Sequence, residues 1–354
     1  MKKILPFEHL TSNFSPPLTT VLSILSTRKE TKPWLVNNLL NIVISQENSE
    51  ESLNDFFRTS EFFDCQPLLE YRFPYAIIDT LDYSLSEIIA FLLTKNYYVY
   101  GMFNRKHFSA LKNDNSIHNM LFYGVNELEN TFYFCDFSPL DTVIGAQLKH
   151  FECSASELDL AINDFNIRSK TSNYKRNEDS IIALKPREVI NCEFSLTDLK
   201  QSINLFLESK NLYSLQIGKP IQTQYKFIPF SEKDSYIFGI NCYDNISKFV
   251  LEDKIDNLKQ LALLREYAAF WDIRIDILNE LGIFPDQSIF LKLKQTIQII
   301  SRDSNICVLS YLKLKLSKNY SIDKKKHQLE KIACSVIQQK VNMLLLLDTL
   351  SQNI

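Results

Sequence analysis

Apolar residues near the start of the chain recur at helical spacing. Between Pro16 and Ser26, leucine, isoleucine and valine form one stripe, and Ser15 stands directly before it. Serine is favoured as an N-cap because its side-chain oxygen accepts an N–H of the first turn, and proline is tolerated at the positions that follow. The pattern predicts a buried first helix there and a second helix over 32–44.

A capping box follows further along the chain. Ser84 and Glu87 have the S-x-x-E spacing ahead of an apolar run, so the sequence predicts a third helix that ends near Lys95. Residues 97–103 are mostly aromatic or β-branched, which favours a strand. A helix therefore leads into a sheet in the first half of the chain.

The next segment has the pattern of a β-hairpin. Two short apolar runs, 118–124 and 131–136, flank the polar residues 126–130. Counted outward from a turn centred near residue 127, His118 and Asp136 fall opposite each other. Directly opposed residues of an antiparallel pair project from the same face, with Cβ atoms about 5 Å apart. The sequence thus predicts an imidazole and a carboxylate side by side.

The second half of the chain is first mixed and then helical. Ser154 and Ser195 each precede a helical pattern and predict helices that reach about residues 162 and 209. Between 213 and 240, aromatic and β-branched clusters broken by glycine and proline indicate short strands. From residue 254 the pattern is helical, and Gly282 is a natural C-cap of the first long helix. Two further helices are predicted near 288–301 and 324–349.

These elements predict an α+β protein in two parts. An antiparallel sheet occupies the N-terminal half, and the C-terminal half is largely helical. The charge-rich stretch 168–180 indicates a loop, and a domain boundary placed beside it gives domains over 1–165 and 166–354. A chain of 354 residues has room for two domains, each with its own core.

Composition and charge argue against several classes of function. The chain has 42 acidic and 39 basic residues, so it lacks the basic excess expected of a general nucleic-acid binder. Its six glycines do not cluster, which argues against the glycine-rich loops that hold dinucleotides or nucleotide phosphates. No apolar stretch of about 18 residues occurs, so we expect neither a membrane-spanning helix nor a membrane partner.

Cysteines and histidines do not indicate a metal site or a disulfide framework. The seven cysteines are odd in number and contain no C-x-x-C pair, so they predict reduced thiols in a cytoplasmic protein. The histidines other than His118 are isolated and lack ligand spacing. No bound metal is therefore expected.

The predicted pairing of His118 with Asp136 is the main chemical signal. A carboxylate that binds one nitrogen of a histidine fixes the ring and its tautomer, which is the base-and-orienter half of a nucleophilic catalytic site. The alternative is that His118 is an ordinary strand residue and that Asp136 merely flanks a turn. Spacing alone leaves both interpretations open.

The hairpin also carries a resemblance to a known family. Its first strand reads HNMLFYGVN over 118–126, and its second reads NTFYFCDF over 130–137. These residues resemble the H-x-hydrophobic-x-x-x-G-x-D/N and F-Y-x-x-D hairpin of the butirosin biosynthesis protein H N-terminal family. The resemblance extends, in diffuse patterns, over most of the chain, from the strand before His118 to the long helix over 255–281.

Membership would imply a papain-like fold in the N-terminal half and an enzyme of natural-product assembly. In such proteins a cysteine at the start of the first helix takes an acyl group from a carrier-protein thioester and passes it to an amine or hydroxyl acceptor. The resemblance assigns His118 as the general base and Asp136 as the residue that orients it. No resident cofactor is implied. The phosphopantetheine thioester of an acyl or peptidyl carrier protein is the implied substrate, and a non-ribosomal peptide or polyketide synthetase is the implied partner.

The sequence departs from this family pattern at the nucleophile. Residues 11–17 contain no cysteine, and the first cysteine of the chain is Cys65. Ser15 stands nearest to the expected position, at a helix N-terminus that favours a developing anion. Serine is harder to ionise than cysteine, and the proline that follows removes an N–H from any oxyanion hole, so an N-cap is the alternative role of Ser15. Cys65 is a second candidate, which would make the protein a papain-like hydrolase or amidase, whereas Cys135 should face away from His118.

Two main interpretations therefore stay open. In the first, Ser15, His118 and Asp136 catalyse acyl transfer or thioester cleavage. In the second, the chain is a catalytically inactive relative that acts as a binding or scaffold partner of a synthetase or carrier protein, with Arg105 and Lys106 in the carrier-binding surface. The same basic residues are otherwise expected to lie in a solvated loop.

Overall fold

The structure is a computed structural model of the chain, and it contains both helices and sheets. It describes residues 1–8, 16–38, 41–46, 54–56, 67–111, 115–137, 148–169, 180–190, 192–210, 221–222, 227–228, 236–253, 257–317 and 321–354. In chain order, the strands are β1 (Lys2–Ile4), β2 (Ile42–Ser45), β3 (Asn54–Phe56), β4 (Leu68–Pro74), β5 (Tyr98–Asn104), β6 (Ile117–Asn126), β7 (Thr131–Phe137), β8 (Leu148–Ser154), β9 (Ser180–Pro186), β10 (Ile221–Gln222), β11 (Phe227–Ile228) and β12 (Tyr236–Phe238). The helices are α1 (Pro16–Leu25), α2 (Lys32–Asn37), α3 (Tyr75–Ile78), α4 (Leu85–Thr94), α5 (Ala155–Ser169), α6 (Leu196–Leu207), α7 (Asn241–Leu251), α8 (Asn257–Glu280), α9 (Gln287–Leu316) and α10 (Ile322–Asn353). The predicted α+β class, with an antiparallel sheet in the N-terminal half and helices in the C-terminal half, is confirmed.

The chain divides into two compact units whose limits differ from the predicted domains 1–165 and 166–354. Unit 1 contains Met1–Thr31 and Phe62–Asn191, and unit 2 contains Lys32–Glu61 and Cys192–Ile354. The predicted boundary at residue 165 falls inside α5. Beyond it, β9 pairs with β4 and β5 and so belongs to unit 1. The stretch predicted as a loop lies mostly outside the described residues.

Unit 1 is built on one antiparallel sheet. Its described strands follow the order β4-β9-β5-β6-β7-β8, and β1 pairs with β6 beyond the end of β5. Helices α4 and α5 contact β5, and α1 contacts β6. The side chains of Phe103, Phe108, Phe122 and Phe134 are fully buried and contact one another, with ring centroids 5.0–6.4 Å apart. This aromatic cluster is part of the core that holds β5, β6 and β7 in place.

Unit 2 is mainly helical. Helix α9 contacts α8 and α10, and α7 contacts both α8 and α10. A small antiparallel sheet, β12-β2-β3, adjoins α7 and α8. The predicted C-cap is confirmed, because Gly282 has a φ of +69° just after α8 and the N–H of Ile283 bonds to the carbonyl of Leu278. Helices α9 and α10 extend beyond their predicted limits of 288–301 and 324–349.

The predicted second helix over 32–44 is wrong in its second half. Helix α2 ends at Asn37, and Ile42–Ser45 form the strand β2 instead. The residues Ile42, Val43 and Ile44 are β-branched and fully buried. Val43 and Ile44 pair with both β12 and β3, and Ile42 pairs with β3. Pairing with a strand near residue 237 is a tertiary contact that local helical spacing cannot reveal.

A helix that spans a lipid bilayer needs about 20 mostly apolar residues. Within the described ranges, no helix combines the length and the apolar composition that a membrane span requires.

Candidate functional site

The hairpin that carries the predicted dyad is present in unit 1. Strands β6 and β7 are antiparallel and are joined by the turn 127–130, with Asn126 paired to Thr131. The ladder is irregular at Tyr123, between the pairs formed by Phe122 and Gly124. This bulge adds one residue to β6 and so changes which residues lie opposite each other towards the start of that strand.

The register of the hairpin differs from the predicted one by two residues. Leu121 pairs with Cys135, so one further step along both strands puts Asp136 level with Met120 and not with His118. The predicted direct opposition is therefore wrong. The turn lies later in the sequence, which alone would shift the register by three residues, and the bulge reduces this shift to two. A shift of two residues leaves the faces unchanged, since side chains alternate with a period of two. His118 and Asp136 stay on one face as diagonal neighbours.

The two side chains are in direct contact. Nδ1 of His118 lies 2.6 Å from Oδ1 of Asp136. The Asp136 side chain has no exposed surface, whereas that of His118 is 28% exposed. An ionised carboxylate can only accept, so this contact favours the imidazole tautomer that carries its proton on Nδ1. In the neutral ring, Nε2 then holds the lone pair that accepts a proton.

Arg105 binds the other side of the same carboxylate. Its Nε donates to Oδ2 of Asp136 at 2.7 Å, and its Nη2 donates to Oδ1 at 2.8 Å, which is a bidentate geometry. The arginine side chain is only 6% exposed. The expectations that Arg105 lies in a solvated loop or on a carrier-binding surface are therefore wrong. The positive charge of the Arg105 guanidinium compensates the negative charge of the buried Asp136 carboxylate, which an apolar interior would otherwise disfavour.

The neighbours of Arg105 are held by a second carboxylate, Asp164 on α5. Nδ2 of Asn104 donates to Oδ2 of Asp164 at 2.7 Å, and Nε2 of His107 lies 3.2 Å from the same oxygen. The ammonium group of Lys106 forms an ion pair with Asp164 as well. Lys106 is therefore already paired within unit 1. The Arg105–Asp136 pair is not among the sequence predictions, although Arg105 comes two residues after the buried Phe103 and so has the strand parity of the core face.

The cysteines of the described ranges are free thiols without an activated member near His118. Cys135 is adjacent to Asp136 on β7 and so points to the opposite face of the sheet, as predicted. Burial raises the pKa of its thiol well above the ordinary value, and the nearby Asp136 adds to the rise. Burial likewise raises the pKa of Cys153 and of Cys242. A thiol with a raised pKa is a poor nucleophile because little thiolate forms.

The two candidate nucleophiles of the sequence analysis, Ser15 and Cys65, lie outside the described residues. The structure thus brings together His118 and Asp136 of the predicted site and adds Arg105 to them. It does not place the third member. Catalytic roles for Ser15, His118 and Asp136 stay predictions.

A second histidine contact lies on the other face of the sheet. Nδ1 of His150 lies 2.9 Å from the hydroxyl of Tyr123, and the ring of Phe7 stacks on Tyr123 with a centroid distance of 5.4 Å. Burial, with a smaller contribution from Cys135, raises the pKa of Tyr123 to about 12. The phenol therefore stays protonated near neutral pH and cannot act as a base. The bulge at Tyr123 has no signal in the alternation pattern.

Among the described residues, no group of three or more histidine, cysteine, aspartate or glutamate side chains is placed to hold a metal ion. Neither a scan against models of protein families nor a search of curated protein sequences gave a match. The resemblance to the butirosin family therefore stays a prediction that rests on the hairpin residues.

Proposed function

We propose that unit 1 is a papain-like domain that transfers or hydrolyses acyl thioesters. The hydrogen bond between Nδ1 of His118 and the buried carboxylate of Asp136 carries this proposal. It is the arrangement by which many hydrolases and acyltransferases orient a general base. The proposed donor is the phosphopantetheine thioester of an acyl or peptidyl carrier protein in non-ribosomal peptide or polyketide assembly. The free thiols of the described cysteines favour a cytoplasmic location for this reaction.

Ser15 is the proposed nucleophile. Its hydroxyl oxygen attacks the thioester carbonyl while Nε2 of His118 accepts the hydroxyl proton, and the same proton then passes to the departing thiolate. The acyl group is left on the serine oxygen. In the second half of the reaction, an amine, hydroxyl or water acceptor attacks this ester. His118 takes a proton from the acceptor and gives it to the departing serine oxygen. Asp136 holds the ring and stabilises the imidazolium in both halves.

The first test is turnover of a carrier protein loaded with a radiolabelled acyl group. We expect His118→Gln to lower kcat/KM by about 100-fold or more, which is the usual contribution of a positioned general base. Ser15→Ala should abolish formation of an acyl-protein that mass spectrometry detects on the wild type. Matched controls are His327→Gln, an exposed histidine of unit 2, and Ser84→Ala, which removes the N-cap of α4.

Retention of full turnover by His118→Gln would rule out the proposed base. If Ser15→Ala keeps both turnover and the acyl-protein, the nucleophile is another residue, and peptide mapping of the labelled protein identifies it. Cys65 is then the first residue to examine. Equal losses in the two control variants would show that the effect comes from a general change in folding.

A second function has its own supporting observation. No cysteine precedes α1, and the buried Cys135 and Cys153 near the hairpin have raised pKa values. None of these observations supplies the reactive thiol that the resembled family uses. This favours a catalytically inactive protein that binds a carrier protein or synthetase. It predicts that the wild type binds acyl-carrier protein in calorimetry without any turnover, and that His118→Gln leaves the affinity unchanged.

A further inference from the structure

The carboxylate of Asp136 is bound from two sides at once. Oδ1 lies 2.6 Å from Nδ1 of His118 and 2.8 Å from Nη2 of Arg105, and Oδ2 lies 2.7 Å from Nε of Arg105. We propose that Arg105 is a positioning residue that fixes the plane of the Asp136 carboxylate and thereby holds His118 in the Nδ1–H tautomer. A role in catalysis rests on the proposed function, but the effect on the tautomer does not.

The geometry of the guanidinium explains why an arginine is suited to this task. The torsion that rotates a carboxylate about its Cβ–Cγ bond has a broad, nearly twofold preference, so a buried aspartate is not oriented by its own rotamer. A bidentate arginine binds both oxygens in one plane and therefore specifies that torsion. Oδ1 is then kept at the position where it contacts the histidine. A lysine, as a point charge, does not specify the plane.

Arg105 is itself held on both sides. Its backbone N–H donates to the carbonyl of Ser116 at 3.0 Å, which continues the ladder between β5 and β6. The residues before and after it, Asn104 and Lys106, both contact Asp164 on α5. These contacts hold the backbone of Arg105 in place. A side chain that orients another side chain requires such a fixed attachment.

The effect on the tautomer separates positioning from simple charge compensation. A histidine side chain in water favours the tautomer with its proton on Nε2. A carboxylate fixed against Nδ1 reverses that preference. An ionised carboxylate can only accept a hydrogen bond, so the nitrogen that faces it must carry the proton. If the carboxylate can turn away, the preference is lost even when the protein stays folded. A residue that only neutralised the charge of Asp136 would leave the tautomer unchanged.

The experiment is nitrogen-15 NMR of the imidazole rings in the full-length protein, at a pH where the rings are neutral. The signals of His118 are assigned by their loss in His118→Gln. In the wild type, we expect a pyrrole-type shift for Nδ1 and a pyridine-type shift for Nε2. Arg105→Met should move both shifts towards the Nε2–H tautomer. Arg72→Met is the matched control, because Arg72 lies in the same sheet and pairs with Glu70 instead.

Arg105→Lys keeps the positive charge and is measured as well, because Arg105→Met leaves a buried carboxylate uncompensated and can fail to fold. We expect shifts between those of the two pure tautomers for Arg105→Lys. In the thioester assay the same variant should lower kcat about tenfold with KM nearly unchanged, since the ring is misoriented while substrate contacts stay in place.

A wild type with its proton on Nε2 would overturn the proposal, and so would a folded Arg105→Met or Arg105→Lys variant with the wild-type shifts. The proposed function fails separately: absence of thioester turnover in the wild type refutes it and leaves the tautomer measurement valid.

Discussion

Asp136 and its partner His118 differ in their exposure to solvent. The Asp136 carboxylate is fully buried, whereas the His118 ring that it binds is partly exposed. Replacing Asp136 with asparagine leaves the Arg105 guanidinium buried without a counter-charge, which costs about 3 kcal/mol or more of unfolding free energy. His118→Gln should cost less than about 1 kcal/mol, because it removes no buried charge. Urea denaturation followed by circular dichroism measures both values.

Asp164→Asn is the control for this stability prediction. Asp164 also binds cations, but its side chain is 21% exposed, so water replaces part of what the variant loses. We expect its cost to be clearly smaller than that of Asp136→Asn. Equal costs for the two variants would contradict the buried ion pair between Arg105 and Asp136.

At this scale the sequence predicts which face a side chain takes and misses its exact neighbours. The prediction that His118 and Asp136 share one face and Cys135 takes the other is confirmed, because the later turn and the bulge together shift the register by an even number of residues, two. The bulge at Tyr123 is not predictable from alternation, since one extra residue in a strand leaves no periodic signal. The role of Arg105 is not predicted either, because its partner Asp136 lies two strands away in the sheet and alternation within one strand does not indicate such a contact.

At the scale of elements, the junction between β12 and α7 depends on one glycine. Gly239 has a φ of +58°, and a Cβ atom added there would lie 2.2 Å from the carbonyl oxygen of Phe206. Gly282, at the end of α8, has a φ of +69° with no atom within 4 Å of such a Cβ. Gly282→Ala should therefore cost only the backbone penalty, about 1 kcal/mol.

Gly239→Ala adds a clash with backbone to that penalty and should cost at least about 2 kcal/mol more, because α6 or α7 must shift. Thermal unfolding of the two variants under the same conditions makes the comparison. A Gly239→Ala protein as stable as Gly282→Ala would show that the junction relaxes freely.

Elements that depend on local contacts are predicted well from this sequence. The capping box of α4 is present as expected, with the Ser84 side chain accepting from Glu87 and the Glu87 carboxylate accepting from the Ser84 N–H. Strand β2 is the opposite case. Its residues fit a helical stripe as well as a strand, and pairing with β12, far away in the sequence, decides between the two.

For the whole molecule, the two units are interleaved in sequence. Residues Lys32–Glu61 interrupt unit 1 and belong to unit 2. Within unit 2, β2 pairs with β12, and the backbone carbonyl of Asn38 accepts a hydrogen bond from Nη2 of the buried Arg274 at 2.6 Å. A domain boundary drawn at a single point in the second half of the chain therefore separates residues 32–61, with β2 and β3, from the rest of unit 2.

We accordingly predict that the fragment 166–354 does not fold on its own. It lacks Ile42, Val43 and Ile44, each at most 1% exposed, and burial of three such side chains contributes about 5 to 9 kcal/mol. That loss is as large as the whole stability of a typical domain. Fusing residues 32–61 to the C-terminus of this fragment through a long glycine–serine linker should restore a cooperative thermal transition. Val43→Asp in the fused segment should abolish that transition. A cooperative transition of the fragment without 32–61 would show that β2 is dispensable and that the sequence-predicted boundary is the better description.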